Sequence, residues 1–379
     1  MSGDVTGAAG AARHDDGGGA LFDSAAVAGG EIVLRPWRPG DDLALLEVWG
    51  DPANAQQHQD RAMLAEDAER PWRRALVAEA AGVPVAAGVV YASSVHPRRL
   101  WLYVETAAAE RRRGIGRALV AALRGLAAEA HAAGAIPTTA LKARFAKDAL
   151  VPGVAGADPQ TEADGATGRP PVDTDAVRSQ TAALAAGTEA FLVAEGFTPV
   201  QRSRRVAIAP GAIGLPDVRG EEHPDGVVLE EASTGSVELT QAVAAFYDAV
   251  HAWDPSTLSV GAAQQLLLGP ATGAAGAVVL RDAPKAEGGR IRAFAVSYTP
   301  ERQDAPADVL VGWDPELGEE DALQAVADLL ALLVAQYPVQ VEVDEAMTPL
   351  ERIVDGLIGG NAARTLVDTY VFVDDAPGA

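Results

Sequence analysis

The stretch Glu110-Arg111-Arg112-Arg113-Gly114-Ile115-Gly116-Arg117-Ala118-Leu119 decides how the fold is read. Leu100–Thr106 before it has the composition of a strand. After it, Leu119, Val120, Leu123, Leu126 and Ala127 recur at helical spacing, and Gly134 closes the helix predicted over Gly116–Ala133. Gly114 and Gly116 let backbone approach a ligand closely. Unpaired N–H groups of the loop and first helical turn then converge where the helix dipole is positive. Such a cradle binds a pyrophosphate, and the four arginines add charge for outer phosphates. A glycine turn with a solvated basic face is the plainer alternative, but it does not account for the order strand, Arg-x-x-Gly-x-Gly, amphipathic helix. The loop has neither the GxGxxG of a dinucleotide fold nor the Gly-Lys-Ser/Thr of a P-loop.

Reading outward, Glu31–Trp37 is a predicted strand, and Pro39–Asp42 is a turn in which Asp41 or Asp42 is placed to cap a helix. Ala75–Ala80 and Val83–Ser93 read as a hairpin across Ala81-Gly82. Thr138–Arg144 reads as a strand, Val177–Glu195 as a helix and Phe197–Ala209 as a strand. A second cycle of similar order runs from Val227 to Val373.

With that order on the page, residues 31–209 resemble the GNAT N-acetyltransferase superfamily. The match rests on Arg111-x-x-Gly114-x-Gly116 between its strand and helix. A weaker match is Phe191–Phe197, similar to that family's late helix ending in Gly-Phe. The resemblance implies an α/β (α+β) fold with a mixed, mostly antiparallel sheet flanked by helices, here as two GNAT-like domains. It implies acetyl-CoA as co-substrate. The pantetheine arm would lie on backbone of Val104, Glu105 and Thr106, and the pyrophosphate on Arg111, Arg112, Arg113, Gly114, Ile115, Gly116 and Arg117. Transfer would be direct, from thioester to a primary amine on a small molecule or peptide. Two positions depart from the family's pattern. Its CoA-contacting Asn and thiolate-protonating Tyr align with Ala185 and Leu192, both apolar.

An amine at neutral pH must lose a proton to attack. Glu105 is the carboxylate on the strand entering the loop and is the expected general base; an ion pair with a loop arginine is the alternative. His96 is a second candidate base, and Tyr91 and Tyr103 are neighbouring strand tyrosines. His251-Ala-Trp-Asp254-Pro reads as a helix-ending turn with a passing acid–base look. In the second cycle the phosphate loop is replaced by Asp314-Pro-Glu-Leu-Gly-Glu-Glu-Asp321, whose five carboxylates repel a pyrophosphate. That half reads as a degenerate copy. A non-catalytic acyl-CoA-binding or regulatory protein is the competing functional reading, favoured by the lost Asn and Tyr.

Composition limits the remaining options. The 379 residues suit two domains. The expected division is a disordered leader (1–30), an acyl-CoA-binding GNAT domain (31–210) with a flexible insertion (147–176), a linker (211–225) and the degenerate domain (226–379). There is no cysteine, which excludes disulfides and thiolate chemistry. The scattered histidines suggest no metal site. Lys and Arg number 22 against 25 Asp and Glu in residues 1–210, but 8 against 28 in residues 211–379. Such acidity disfavours nucleic acid as a partner, and either solubility or a cationic substrate accounts for it. The lack of a long apolar run and of a basic leader points to a cytoplasmic protein without a membrane partner; a homodimer is compatible.

Overall fold

Apolar side chains alternate along the strands, so each strand offers two buried faces. In Trp72–Ala80, Leu76 and Ala78 enter one core while Ala75 and Val77 enter another on the opposite side. A sheet buried on both faces needs helices on both, and the computed structural model has them. It describes residues 25–27, 30–149, 174–224, 226–299 and 307–375. Most of the expected leader and insertion lies outside these residues.

The first half runs β1 (Ala25–Val27), β2 (Gly30–Pro36), α1 (Asp41–Trp49), α2 (Ala55–Arg61), β3 (Ala68–Glu69), β4 (Trp72–Ala80), β5 (Val83–Ala92) and β6 (Leu100–Thr106). It continues with α3 (Ile115–Ala132), β7 (Leu141–Ala149), α4 (Thr174–Ala194) and β8 (Thr198–Ile208). The second half runs β9 (Val228–Ala232), α5 (Val237–Val250), α6 (Val260–Ala263), β10 (Ala274–Arg281), β11 (Ile291–Tyr298) and β12 (Ala307–Trp313). It ends with α7 (Glu319–Leu333), β13 (Val339–Asp344), α8 (Thr348–Gly359) and β14 (Ala363–Val373). The order from β9 to β14 repeats that from β2 to β8.

Two local expectations change. Gly40, at φ 92°, occupies the cap position of α1. Asp41 does not cap the helix because Arg35 grips both its oxygens at 2.7 Å and the Arg38 N–H donates to it at 2.7 Å. Helix α2 went unpredicted; its sequence AQQHQDR is too polar for an apolar period, although Asn54 caps it by accepting from Gln57 N–H at 2.9 Å.

One mixed, mostly antiparallel sheet runs through both halves, in the order β1-β2-β4-β5-β6-β7-β14-β8-β13-β12-β11-β10-β9, with β3 on β4. Of the ladders between these strands, only β6·β7 and β12·β13 are parallel. The last strands are exchanged across the expected domain boundary. β14 lies between β7 and β8, pairing Tyr370 with both Phe145 and Arg202, while β8 pairs with β13. Each half's core therefore holds the other's strand. Phe372 sits among Leu119, Leu123 and Phe197, and Val206 and Ile208 sit among Phe294, Leu330 and Val341. Burying a side chain such as Leu123 completely contributes about 1.5–3 kcal/mol.

Candidate active site

β5 and β6 pair along their whole length, from Ala92↔Leu100 to Ala86↔Thr106. β6 and β7 pair only at Leu100↔Leu141, Trp101↔Lys142 and Leu102↔Ala143. Beyond Leu102 the strands part, and the backbone of Tyr103–Thr106 has an edge that no strand fills. Alternation assigns its side chains. Val104 packs with the α3 core, whereas Tyr103 packs on the opposite face near α1.

The chain then turns through Ala108–Glu110 and Arg112, whose φ is 65°, to Gly114 at φ 90°. Gly114 is the cap residue of α3, and no side chain among the described residues caps it. The first helical bond runs from Ala118 N–H to Gly114 O at 3.0 Å. The N–H groups of Ile115, Gly116 and Arg117 are thus the first-turn donors, at the positive end of an 18-residue helix. Ile115 anchors the turn from inside at 1% exposure. A Cβ on Gly116 would meet nothing nearer than Phe191 at 3.5 Å.

The arginines divide by role. Arg111 Nε donates to Thr106 O at 3.0 Å, closing the loop and occupying that carbonyl. Arg113 pairs with Glu110, and Arg117 with Glu195 at 2.8 Å. Arg112 is exposed and makes no bond to a described residue.

Glu105 does not stand as a free base. Arg61 donates to it through Nε at 2.8 Å and Nη2 at 2.7 Å, Gln57 Nε2 at 2.8 Å and Tyr103 OH at 2.5 Å. Four donors fill the acceptor sites of a carboxylate that is 9% exposed. The expected role was general base; in the structure these bonds tie α2 to β6 through Glu105. The expected alternative partner was a loop arginine; the actual one comes from α2. Burial and the Glu105 carboxylate together push the Tyr103 phenol well above its usual range. Tyr91 rises to about 12 through burial.

Ala185 and Leu192 are 4% and 5% exposed, within the apolar packing of α4. They supply no acid, in line with the sequence. His96 lies in the loop between β5 and β6 and is buried. Its Nδ1 is 2.5 Å from Asp254 O and its Nε2 is 2.8 Å from Tyr247 OH, and burial depresses its pKa to about 4. His251 is the residue that ends α5, as expected of a helix-ending turn. The same turn carries Asp254, fully buried, which accepts from Lys142 Nζ at 2.6 Å. Lys142 is itself fully buried, 4.4 Å above the Trp101 ring. Sequence reading missed this junction because its partners lie 112 residues apart along the chain.

His96, Trp101, Lys142, Tyr247 and His251 border a cavity of about 390 Å³ over the middle of the sheet, between α2 of one half and α5 of the other. On the second half, β12 and β13 also part beyond Val309↔Val341. There, however, the facing helix α7 begins with Glu319, Glu320 and Asp321. Among the described residues no group of side chains is arranged to hold a metal ion, and no helix is long and apolar enough to cross a membrane.

Residues 40–143 match the family model described as "Acetyltransferase (GNAT) family". No curated protein matches the chain. Among solved structures, a GCN5-related N-acetyltransferase from Sphaerobacter thermophilus is 15% identical at a TM-score of 0.51, over 90% of this chain and 95% of the other. A tandem GNAT protein from the clavulanic acid biosynthesis pathway is 18% identical at a TM-score of 0.52, over 92% of this chain and 100% of the other. The family-model match is thus confined to residues 40–143, and the chain as a whole is folded like a tandem GNAT protein.

Proposed function

We propose that the first half is an acyl-CoA-dependent N-acyltransferase, with acetyl-CoA as donor and a primary amine as acceptor. The observation that carries this reading is the parting of β6 and β7 directly before an uncapped helix N-terminus. The edge at Val104, open up to the Thr106 carbonyl that Arg111 occupies, suits an extended, amide-bearing pantetheine arm. The N–H groups of Ile115, Gly116 and Arg117 suit a pyrophosphate, with Arg112 available to its outer oxygens. The thioester then reaches the face of Tyr103 and the central cavity, where the amine waits. Attack of the amine nitrogen forms the C–N bond and breaks the C–S bond. The nitrogen gives up its proton to water and the departing thiolate takes one from water, since Leu192 stands where an acid would be. The second half donates β14 to the sheet and no phosphate cradle.

The test uses the full chain. Thiol release from acetyl-CoA is followed across a panel of amines, with mass spectrometry of any acyl-CoA that co-purifies. Saturable, amine-dependent release is expected. Binding of acetyl-CoA without release from any amine would favour the non-catalytic reading, and no binding would sink both.

A further inference from the structure

The central cavity is charged unevenly. At its first-half end the cations are spoken for: Lys142 by Asp254 at 2.6 Å and Arg144 by Asp60 at 2.8 Å. On β8, Arg205 lies 3.6 Å from Asp308. At its second-half end are two carboxylates that form no ion pair with a Lys or Arg among the described residues, although Arg205, paired with Asp308, stands opposite Glu342 in the β8·β13 ladder. Glu342 and Asp344 stand two residues apart on one face of β13, and both line the cavity. Glu342 is exposed and, among the described residues, accepts from Ser203 Oγ at 3.0 Å. Asp344 is 3% exposed; its Oδ1 has no hydrogen-bond partner among the described residues, and its Oδ2 is 3.7 Å from His251 Nε2. Burial depresses the His251 pKa, so that ring is neutral at pH 7 and gives Asp344 no countercharge.

A buried carboxylate with an empty lone pair and no counter-ion is costly. A ligand cation would remove that cost. The walls beside it are aromatic: Tyr247 stacks on His251 at 4.1 Å and His96 lies 5.3 Å from Tyr247, with Phe246 and Trp253 alongside. Ring faces favour an organic cation over a hydrated metal ion. We propose that Asp344 and Glu342 form a seat for an aliphatic ammonium group in the cavity between the two halves.

This ammonium is not the one acylated. β13 lies three strands from β7, and strands are spaced about 4.8 Å apart, so the seat is on the order of 14 Å from the opening between β6 and β7. The seat therefore holds a second cationic group of an elongated acceptor. That last step rests on the function proposed above; the ammonium seat itself does not.

Burial and the neighbouring Glu342 raise the Asp344 pKa to about 7. The groups facing it are Glu342 and Glu345 on its own segment, Ser203 and Gln201 on β8, whose side-chain hydrogen bonds act to lower it, and His251 and Tyr247 on α5; Arg205 stands opposite Glu342 on β8, and Lys142 and Arg144 also line the cavity. Binding of a cation should then strengthen between pH 6 and pH 8, as Asp344 ionises while an alkylammonium stays charged.

The experiment titrates the full chain, without acyl-CoA, with n-butylammonium and with its neutral isostere butan-1-ol, followed by ligand-observed NMR. Butylammonium should bind saturably and butan-1-ol should not. D344N should weaken binding at least tenfold and E342Q about threefold, with thermal melts confirming folded variants. Equal binding of butan-1-ol, or unchanged binding in folded D344N, would overturn the seat; should D344N not fold, unchanged binding in E342Q does so. A second arm compares acylation of a long α,ω-diamine with that of the monoamine of equal length. D344N should raise KM for the diamine alone and leave kcat in place. Equal KM changes for both amines would remove the second-cation assignment. If no amine is acylated while butylammonium still binds, the acyltransfer reading fails and the ammonium seat stands.

Discussion

Glu105→Gln separates a structural carboxylate from a catalytic one. The Arg61–Glu105 pair is 12% and 9% exposed and bidentate. Removing one partner of such a pair costs about 3–5 kcal/mol, because the other is left buried and uncompensated. Arg61 keeps its bond to Gly50 O at 2.6 Å and its place 5.1 Å over Trp49, so the lower end applies. For a unit of 150–250 residues each kcal/mol shifts Tm by about 2–4 °C, which gives a fall of roughly 6–12 °C. A lost general base would instead lower kcat/KM by about 10²–10⁴ and abolish the acidic limb of the pH–rate profile. Differential scanning fluorimetry and the pH dependence of thiol release, both on the full chain, read the two effects. A lowered Tm with the acidic limb intact is expected. A Tm within about 1 °C of the parent, together with a vanished limb, would refute the assignment and return Glu105 to the chemistry.

Gly116→Val should leave Tm nearly unchanged, since Phe191 at 3.5 Å is its nearest neighbour, yet weaken acetyl-CoA binding by calorimetry at least tenfold. Normal affinity would show that no phosphate approaches that backbone. Gly88→Ala should lower Tm, because its Cβ would stand 2.9 Å from both Leu123 and Val104; overpacking of that kind costs about 1–3 kcal/mol. Lys142→Met should destabilise by about 3 kcal/mol, the lower end for a broken buried pair because Asp254 keeps Arg99 Nη1 at 3.4 Å, and adding Asp254→Asn should recover part of it in denaturant titrations. Asp344 has a folded-state pKa raised from 3.8 to about 7, so its contribution to stability is full below pH 3.8 and is lost as pH rises through 7. D344N should accordingly melt higher than the parent at pH 8 without ligand, and alike at pH 4; equal melting at pH 8 would show that the charge is compensated.

The strand–loop–helix around Gly114 was legible because its geometry is local. Arg111 to Leu119 fixes a strand end, a left-handed glycine and a helix start within ten residues. The same holds for the hairpin at Ala81-Gly82, where both residues take positive φ. Charge asymmetry along the chain foreshadowed the acidic start of α7. What escaped reading was non-local. The partner of Glu105 comes from a polar helix 44 residues earlier, and nothing in AQQHQDR announces which carboxylate it will meet. The burial of His96 was not readable because it depends on Tyr247 and Asp254 in the other half. The placement of β14 could not be read either, since an alternating strand pattern fixes a face and not a neighbour.

The exchange of β14 and β8 has a consequence for how the protein is made. When β7 and α4 have left the ribosome, the position between β7 and β8 is still vacant, because its occupant lies about 200 residues further along. At typical elongation rates of 5–20 residues per second, that delay is roughly 10–40 s. Throughout it, two bare strand edges are open to pairing with other chains. Contacts of such sequence separation also form slowly once the chain is free. The first half, though translated early, acquires its complete sheet only when the second half is nearly finished, so the nascent chain depends during this interval on chaperones or on low local concentration.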